Sequence, residues 1–220
     1  VKKFLLIIIN CCLIVSCNST GNSTGKEPDK FAQIAIEKAE NGDHAAQYFL
    51  ASYYADGKRG LPKDKNKAIY WYQKSATGGN SRSQNNLAVI FEKSKNLEEA
   101  VYWYKKAVSN NNKVAMINLG TLYMKGQGVN KDQKKGYELL LRSAKLKEGK
   151  AQRMLASSYH YGYGTKLDYN EAYAWYMTAK SNGVNVEKFL KSLPKIGKGF
   201  ELSKAELLSE KYKNLYGGAL

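Results

Sequence analysis

His44 and His160, the adjacent carboxylates Glu98 and Glu99, and the glycine pairs Gly126-x-Gly128 and Gly162-x-Gly164 are the residues whose types and spacing could do chemistry. A histidine acts as metal ligand or general base only with a Cys, a carboxylate or a second His at ligand spacing. Neither histidine has one; the two lie at corresponding edges of a first and a fourth sequence unit and read as surface or helix-end residues. Glu98 and Glu99 could be drawn as an acid–base pair. Neighbours on a helix face different ways, however, and carboxylates at a helix start serve the dipole and its free amides. The glycine pairs would suit a phosphate cradle if a strand preceded them and Lys-Ser or Lys-Thr followed. Neither condition is met, so they read as turns. The expectation is therefore a non-enzyme with no catalytic residue, no metal and no cofactor.

The cysteines are Cys11, Cys12 and Cys17, all near the start. Past that point there is no thiol for a disulfide framework or a thiolate metal site. Lys2 and Lys3 lead into a run, Phe4 to Val15, that is apolar apart from Asn10. A basic lead and about a dozen apolar residues have the form of a secretory signal, and fall short of the about 20 residues that span a bilayer. Residues 1–16 are thus expected to be a signal peptide. Residues 17–29, rich in Ser, Thr, Asn and Gly, cannot bury enough apolar area to offset their ordering entropy and are expected to form a tether.

From Phe31 onward Ala, Tyr, Lys and Leu recur at helical spacing, and a pattern repeats. Ala46, Leu50, Tyr54 and Gly57 lead to Asp64, Ala68 and Trp71; Ser83, Leu87 and Phe91 lead to Ala100 and Trp103. Ala115, Leu119, Tyr123, Gly126 and Gly128 lead to Asp132, and Ala151, Leu155, Tyr159, Gly162 and Gly164 to Asp168, Ala172 and Trp175. Apolar residues at i, i+4 and i+8 make one stripe on a first helix, with a small residue where a neighbour comes close. Glycine ends that helix in left-handed geometry, and an Asp caps the next. A second stripe follows at i, i+3 and i+4. Such helix pairs can bury their stripes only by stacking.

The string A-x₃-L-[G/A]-x₂-Y-x₂-G-x-G, followed by D-x₃-A-x₂-W, resembles the Sel1-like repeats, relatives of the tetratricopeptide repeats. The resemblance covers about Ala45 to Gly183 and implies an all-α fold, a right-handed α-solenoid of about four stacked pairs over 30–183. Phe31 to Gly42 resembles a lone helix capping the front, and 184–220 should supply C-terminal capping helices. Departures are visible. The second copy has only Glu92 to Asn96 between its helices, Gly136 and Leu139 stand where Ala and Trp are expected, and Thr165 replaces Val. In the tail, Glu187 to Leu193 reads as a short helix closed by Pro194. Ser203-Lys204-Ala205-Glu206 reads as a capping box opening a last helix.

Ile14-Val15-Ser16-Cys17 in turn resembles the bacterial lipobox, which implies cleavage before Cys17 and acylation of that residue. An ordinary cleaved signal with an incidental cysteine, or an uncleaved anchor, is the alternative. The implied location is the bacterial envelope, outer membrane facing the periplasm, with the membrane held through Cys17. Family members act mostly as adaptors, so another protein is the expected partner of a monomeric chain, one variety being an immunity-type inhibitor of a secreted effector. A cysteine-rich branch associated with β-lactams carries a disulfide in each repeat, which these repeats lack.

The formal charge of +16 favours acidic partners, although an envelope location argues against nucleic acid. Lys58, Arg59, Lys63, Lys65 and Lys67, echoed by Lys125, Lys131, Lys134 and Lys135, could form a positive ridge. That ridge supports a second reading, binding of anionic envelope glycan or lipid. Of Tyr70, Tyr102, Tyr104, Tyr161, Tyr163 and Tyr173, most are expected to pack between repeats; those in the concave face, with Tyr161 a candidate, would anchor a partner.

Overall fold

The computed structural model describes residues 27–196 and 199–218, so the signal peptide, Cys17 and most of the tether lie outside the described residues. Described residues form eleven helices and no strand. After a lone α1 (Lys30–Glu40) come four helix pairs: α2 (His44–Asp56) with α3 (Lys65–Thr77), α4 (Ser81–Lys93) with α5 (Leu97–Ser109), α6 (Lys113–Lys125) with α7 (Gln133–Lys145), and α8 (Gly149–Tyr161) with α9 (Tyr169–Ser181). Two further helices, α10 (Glu187–Ile196) and α11 (Leu202–Tyr216), close the array. From α1 to α10 each helix packs on the next, and α11 folds back on α9, the arrangement of an all-α repeat solenoid.

Local sequence sets the helix ends. Asp64, Asp132 and Asp168 precede α3, α7 and α9 and accept backbone amides in their first turns. Asn80, Asn96 and Asn112 do the same for α4, α5 and α6. The cap of α5 is thus Asn96, and Glu98 and Glu99 occupy its first turn, where they favour the dipole. Gly57, Gly126 and Gly162 end α2, α6 and α8 at φ 69°, 70° and 72°, the left-handed geometry that a side chain resists.

The stripes are buried. Ala46, Leu50, Ala68, Leu87, Ala100, Ala115, Leu119, Ala151, Leu155, Ala172 and Trp175 lie in the core. Tyr54, Trp71, Trp103, Tyr123 and Tyr159 are half-buried against it. A Leu sealed from water contributes about 1.5–3 kcal/mol, which is why each pair depends on the next.

The second glycine of each loop has a different task from the first. A Cβ on Gly128 would come 2.7 Å from Leu97 Cβ, and one on Gly60 or Gly164 would overlap the carbonyl oxygen of Glu27 or Gln133. Leu97 and Gln133 open the second helix of the preceding repeat. Gly128 and Gly164 are where repeats touch, and Gly60 is where the first repeat meets the segment ahead of α1. By contrast, the turns between repeats place Gly42, Gly79, Asn111, Lys147 and Gly183 at positive φ, and two of the five are not glycine.

Two features of the tail differ from the sequence reading. Pro194 does not close α10, which runs to Ile196. Leu193 is buried and Phe189 stacks on Tyr176 at 5.0 Å, and this packing outweighs the about 3 kcal/mol that a proline costs inside a helix. Nor does Ser203 cap α11. The helix begins at Leu202 after Glu201, whose amide donates to Asn170 Oδ1 at 2.9 Å, so the chain is already committed two residues earlier. The last helix seals α9: Trp175 lies against Tyr212 and Tyr216 at 4.8 and 5.4 Å, and Gln152 and Asn182 donate to the Tyr216 carbonyl.

Candidate interaction surface

The side formed by the first helices is built by a repeated joint. Gln47, Gln84 and Gln152 each donate their carboxamide to the carbonyl of Ala39, Ala76 or Ala144 on the preceding helix, at 3.1, 3.0 and 3.1 Å. Ser75 and Ser143 add bonds to the His44 and Lys113 carbonyls at 2.6 and 2.8 Å. These joints fix a common register: four residues before the three alanines sit Ala35, Tyr72 and Leu140, and Tyr104 and Tyr176 hold the same place on α5 and α9.

The tyrosines send their hydroxyls to the first-helix layer. Tyr104 donates to Glu92 at 2.6 Å, and Asn118 of the next repeat reaches the same phenol. Asn118 also donates to Asn85 at 3.1 Å. Tyr72 meets Asn86 and Ser52, Tyr176 lies 3.1 Å from Ser157 Oγ, and the Tyr137 and Tyr159 hydroxyls are 2.7 Å apart. Burial raises the pKa of Tyr72, pushes Tyr176 up to about 12, and drives Tyr104 and Tyr159 higher still. The phenols therefore stay neutral, and they give and take hydrogen bonds.

Two recesses interrupt this wall. Because the second repeat lacks a glycine loop, the turn after α4 leaves a hollow of about 430 Å³ lined by Glu92, Lys95, Leu97, Tyr104, Asn118 and Gln127. At the front, Ala35 leaves unfilled the space that tyrosine takes in later repeats. A hollow of about 250 Å³ results, lined by Phe31, Ile34, Phe49 and Tyr53. Sequence reasoning missed Glu92, Asn118, Gln127 and the Ala35 substitution. The signal was there, in the shortened second copy and in the register of Gln47 with Gln84 and Gln152.

The cations singled out in the sequence are only partly free. Lys58 pairs with Asp56 at 2.6 Å; Arg59 pairs with Asp29 at 3.2 Å and covers Phe31 at 4.7 Å. Lys67 and Lys135 lie over Tyr54 and Tyr123, 5.2 and 5.5 Å from the ring centres. Lys63, Lys65, Lys125, Lys131 and Lys134 are exposed, as are Lys93 at the end of α4 and Lys95 on the turn that follows. The ridge is thus less free than the sequence suggested, since Lys58 and Arg59, although exposed, are held in ion pairs.

The tyrosine expectation needs correcting. Tyr70, Tyr102, Tyr161 and Tyr163 are 48, 50, 52 and 48 % exposed, and of the six only Tyr104 is buried and Tyr173 half-buried. They occupy outward helix rows or a loop, which helical periodicity alone does not separate from inward rows carrying the same residue type. His44 opens α2 and is exposed, as the sequence reading has it. His160 lies in the last turn of α8 but is buried, 3 % exposed, and leaves Nδ1 without a partner. Tyr161 stacks on its ring at 4.3 Å, with Tyr169 and Tyr176 edge-on. Burial lowers its pKa. Among the described residues no group of three or more His, Cys, Asp or Glu is placed to hold a metal ion.

A solenoid of helix pairs with a neutral, hydrogen-bonding first-helix side is the architecture of an interaction scaffold. The chain belongs to the Sel1 repeat family, whose pattern matches residues 44–80, 81–112, 113–148 and 149–184. Sel1 repeat proteins mediate protein–protein interaction. Among solved structures, a protective antigen of uropathogenic Escherichia coli with this repeat fold is 34% identical at a TM-score of 0.79, covering 84% of this chain and 41% of its own. A Sel1 repeat protein from Oxalobacter formigenes is 27% identical at a TM-score of 0.70, covering 81% of this chain and 74% of its own. An immunity protein from Pseudomonas aeruginosa shares the fold at 21% identity and a TM-score of 0.51, covering 86% of this chain and 83% of its own. The ERAD-associated E3 ubiquitin-protein ligase component HRD3A of Arabidopsis thaliana is 35% identical over 71 residues, which span 32% of this chain and 10% of that protein.

Proposed function

We propose that this chain is an envelope-anchored, non-catalytic scaffold that holds one protein against the side formed by its first helices. The carrying observation is the chemistry of that side. Asn86, Asn118, Ser52 and Ser157, with the neutral phenols behind them, present paired donors and acceptors suited to peptide groups, and the two hollows accept side chains. Within this class the reading is an immunity-type inhibitor of a secreted effector, in keeping with the fold shared with the P. aeruginosa immunity protein.

Anchoring rests on the lipobox-like Ile14-Val15-Ser16-Cys17. Several acyl chains on Cys17 would hold the chain firmly, each buried CH₂ contributing about 0.8 kcal/mol. The location proposed is the outer membrane, facing the periplasm.

Two experiments test this. Phe49→Glu with Asn86→Arg should abolish capture of the partner from solubilised envelopes while leaving thermal stability near that of the wild type. Undiminished capture counts against the surface. Labelled palmitate should enter the wild type and not Cys17→Ala, and equal labelling of both removes the anchor. For the immunity variety, a secreted effector encoded beside this gene should lose toxicity only when the chain is present.

A further inference from the structure

The exposed side of the second helices carries a pattern that protein binding by the first-helix side does not use. Tyr70 on α3 and Tyr102 on α5 occupy the same register place, as do Lys74, Lys106 and Arg142 on α3, α5 and α7. Each tyrosine is about half exposed, with the ammonium of the lysine one turn later 5.3 or 5.7 Å from its ring centre. Behind them Trp71 and Trp103 sit edge-on, at 5.0 and 5.2 Å. The tyrosine row ends at α7, where the exposed Glu138 takes its place, and the cationic row ends at α9, where Ala174 and Thr178 stand in these places and are buried in a helix covered by α11.

Charge on this side is one-sided. Glu98, Glu99 and Glu138 are outnumbered by the cationic row together with the exposed Lys65, Lys105, Lys134 and Lys145. Tyr and Trp rings have an apolar body and a polar edge, which suits them to the head-group layer of a bilayer. Lysine stems can lie along that layer with the ammonium at the lipid phosphates.

We propose that this face docks on the surface of an anionic lipid bilayer, with Tyr70 and Tyr102 seated among the head groups and Lys74, Lys106 and Arg142 on the phosphates. Docking of this kind orients the array, leaving the first-helix side turned to solvent. It depends neither on acylation of Cys17 nor on the identity of a protein partner. No helix among the described residues is long and apolar enough to cross a membrane, so the contact is peripheral.

The tryptophans supply a built-in reporter. Trp71 and Trp103 adjoin the proposed contact, while Trp175 is buried under α11. The full chain is mixed with vesicles containing brominated phosphatidylglycerol, or with neutral vesicles containing brominated phosphatidylcholine. Tryptophan emission should be quenched only by the anionic vesicles and recover at about 0.5 M salt, where screening is strong. In Tyr70→Ser/Tyr102→Ser/Lys74→Gln/Lys106→Gln, vesicle partitioning should fall at least about 30-fold, since each lysine near an anionic surface accounts for about 5-fold. Should that variant lose helicity, Lys74→Gln/Lys106→Gln, changed only at exposed sites, gives the same comparison. Equal quenching by neutral lipid overturns the proposal, as does partitioning unchanged in the variants. Binding to acidic protein or polyanion without quenching by anionic vesicles overturns it as well.

Discussion

Replacing Gly164 by Ala should destabilise the array far more than the same change at Gly183, although both glycines have nearly the same backbone angle, φ 74° and 78°. Left-handed geometry costs a residue with a Cβ about 1–2 kcal/mol at either site. The surroundings differ. Nothing lies within 4 Å of a Cβ on Gly183, whereas a Cβ on Gly164 would overlap the Gln133 carbonyl oxygen and sit 2.9 Å from Tyr137 Cβ. Backbone must move to relieve that overlap, and overpacking of this kind costs typically about 1–3 kcal/mol. Gly164→Ala should therefore lose about 2–5 kcal/mol and Gly183→Ala no more than about 1–2. Because the strained contact joins the third repeat to the fourth, Gly164→Ala should also unfold less cooperatively in urea, with a smaller m-value. Urea titrations followed by circular dichroism measure both quantities. Equal losses at the two glycines would refute the idea that the second loop glycine exists for inter-repeat contact.

Tyr104→Phe removes the donor to Glu92 and the partner of Asn118, and should cost about 1 kcal/mol in thermal or urea unfolding. His160 carries a pKa lowered by burial, so the folded chain prefers it neutral. Stability should hold above about pH 6.5 and fall as pH drops through the lowered value; His160→Phe should flatten that part of the profile, and a parallel decline in both proteins contradicts the assignment. Asp132→Ala should cost about 1 kcal/mol through loss of its cap, while Ser203→Ala, which caps nothing, should stay within about 0.5 kcal/mol.

Much of this fold is legible in the residues because stacking imposes period and size together. Ala46, Ala115 and Ala151 mark close approach, Leu50, Leu119 and Leu155 fill the space behind, and Gly57, Gly126 and Gly162 stop a helix where a Cβ would be strained. What periodicity does not encode is which layer an aromatic row faces. Tyr70 and Tyr104 are both tyrosines in the middle of a second helix, two register places apart, yet one is half exposed and the other buried. Their contrast follows from the register fixed by Gln47 and Gln84, which becomes visible only once the carbonyls they reach are known. His160 belongs to the same class of miss. Nothing in its flanks shows that Tyr161, Tyr169 and Tyr176 surround it. The hollow beside Ala35 is a third case, because it arises from what a neighbouring repeat supplies and α1 does not.

The scaffold reading is most directly tested by placing a photo-crosslinking side chain at Asn86 on the first-helix side, and separately at Gln73 on the second-helix side, in cells that make the protein. Illumination should yield one discrete protein adduct from position 86 and none of that mass from position 73. The same adduct from both positions, or none from position 86, contradicts the account.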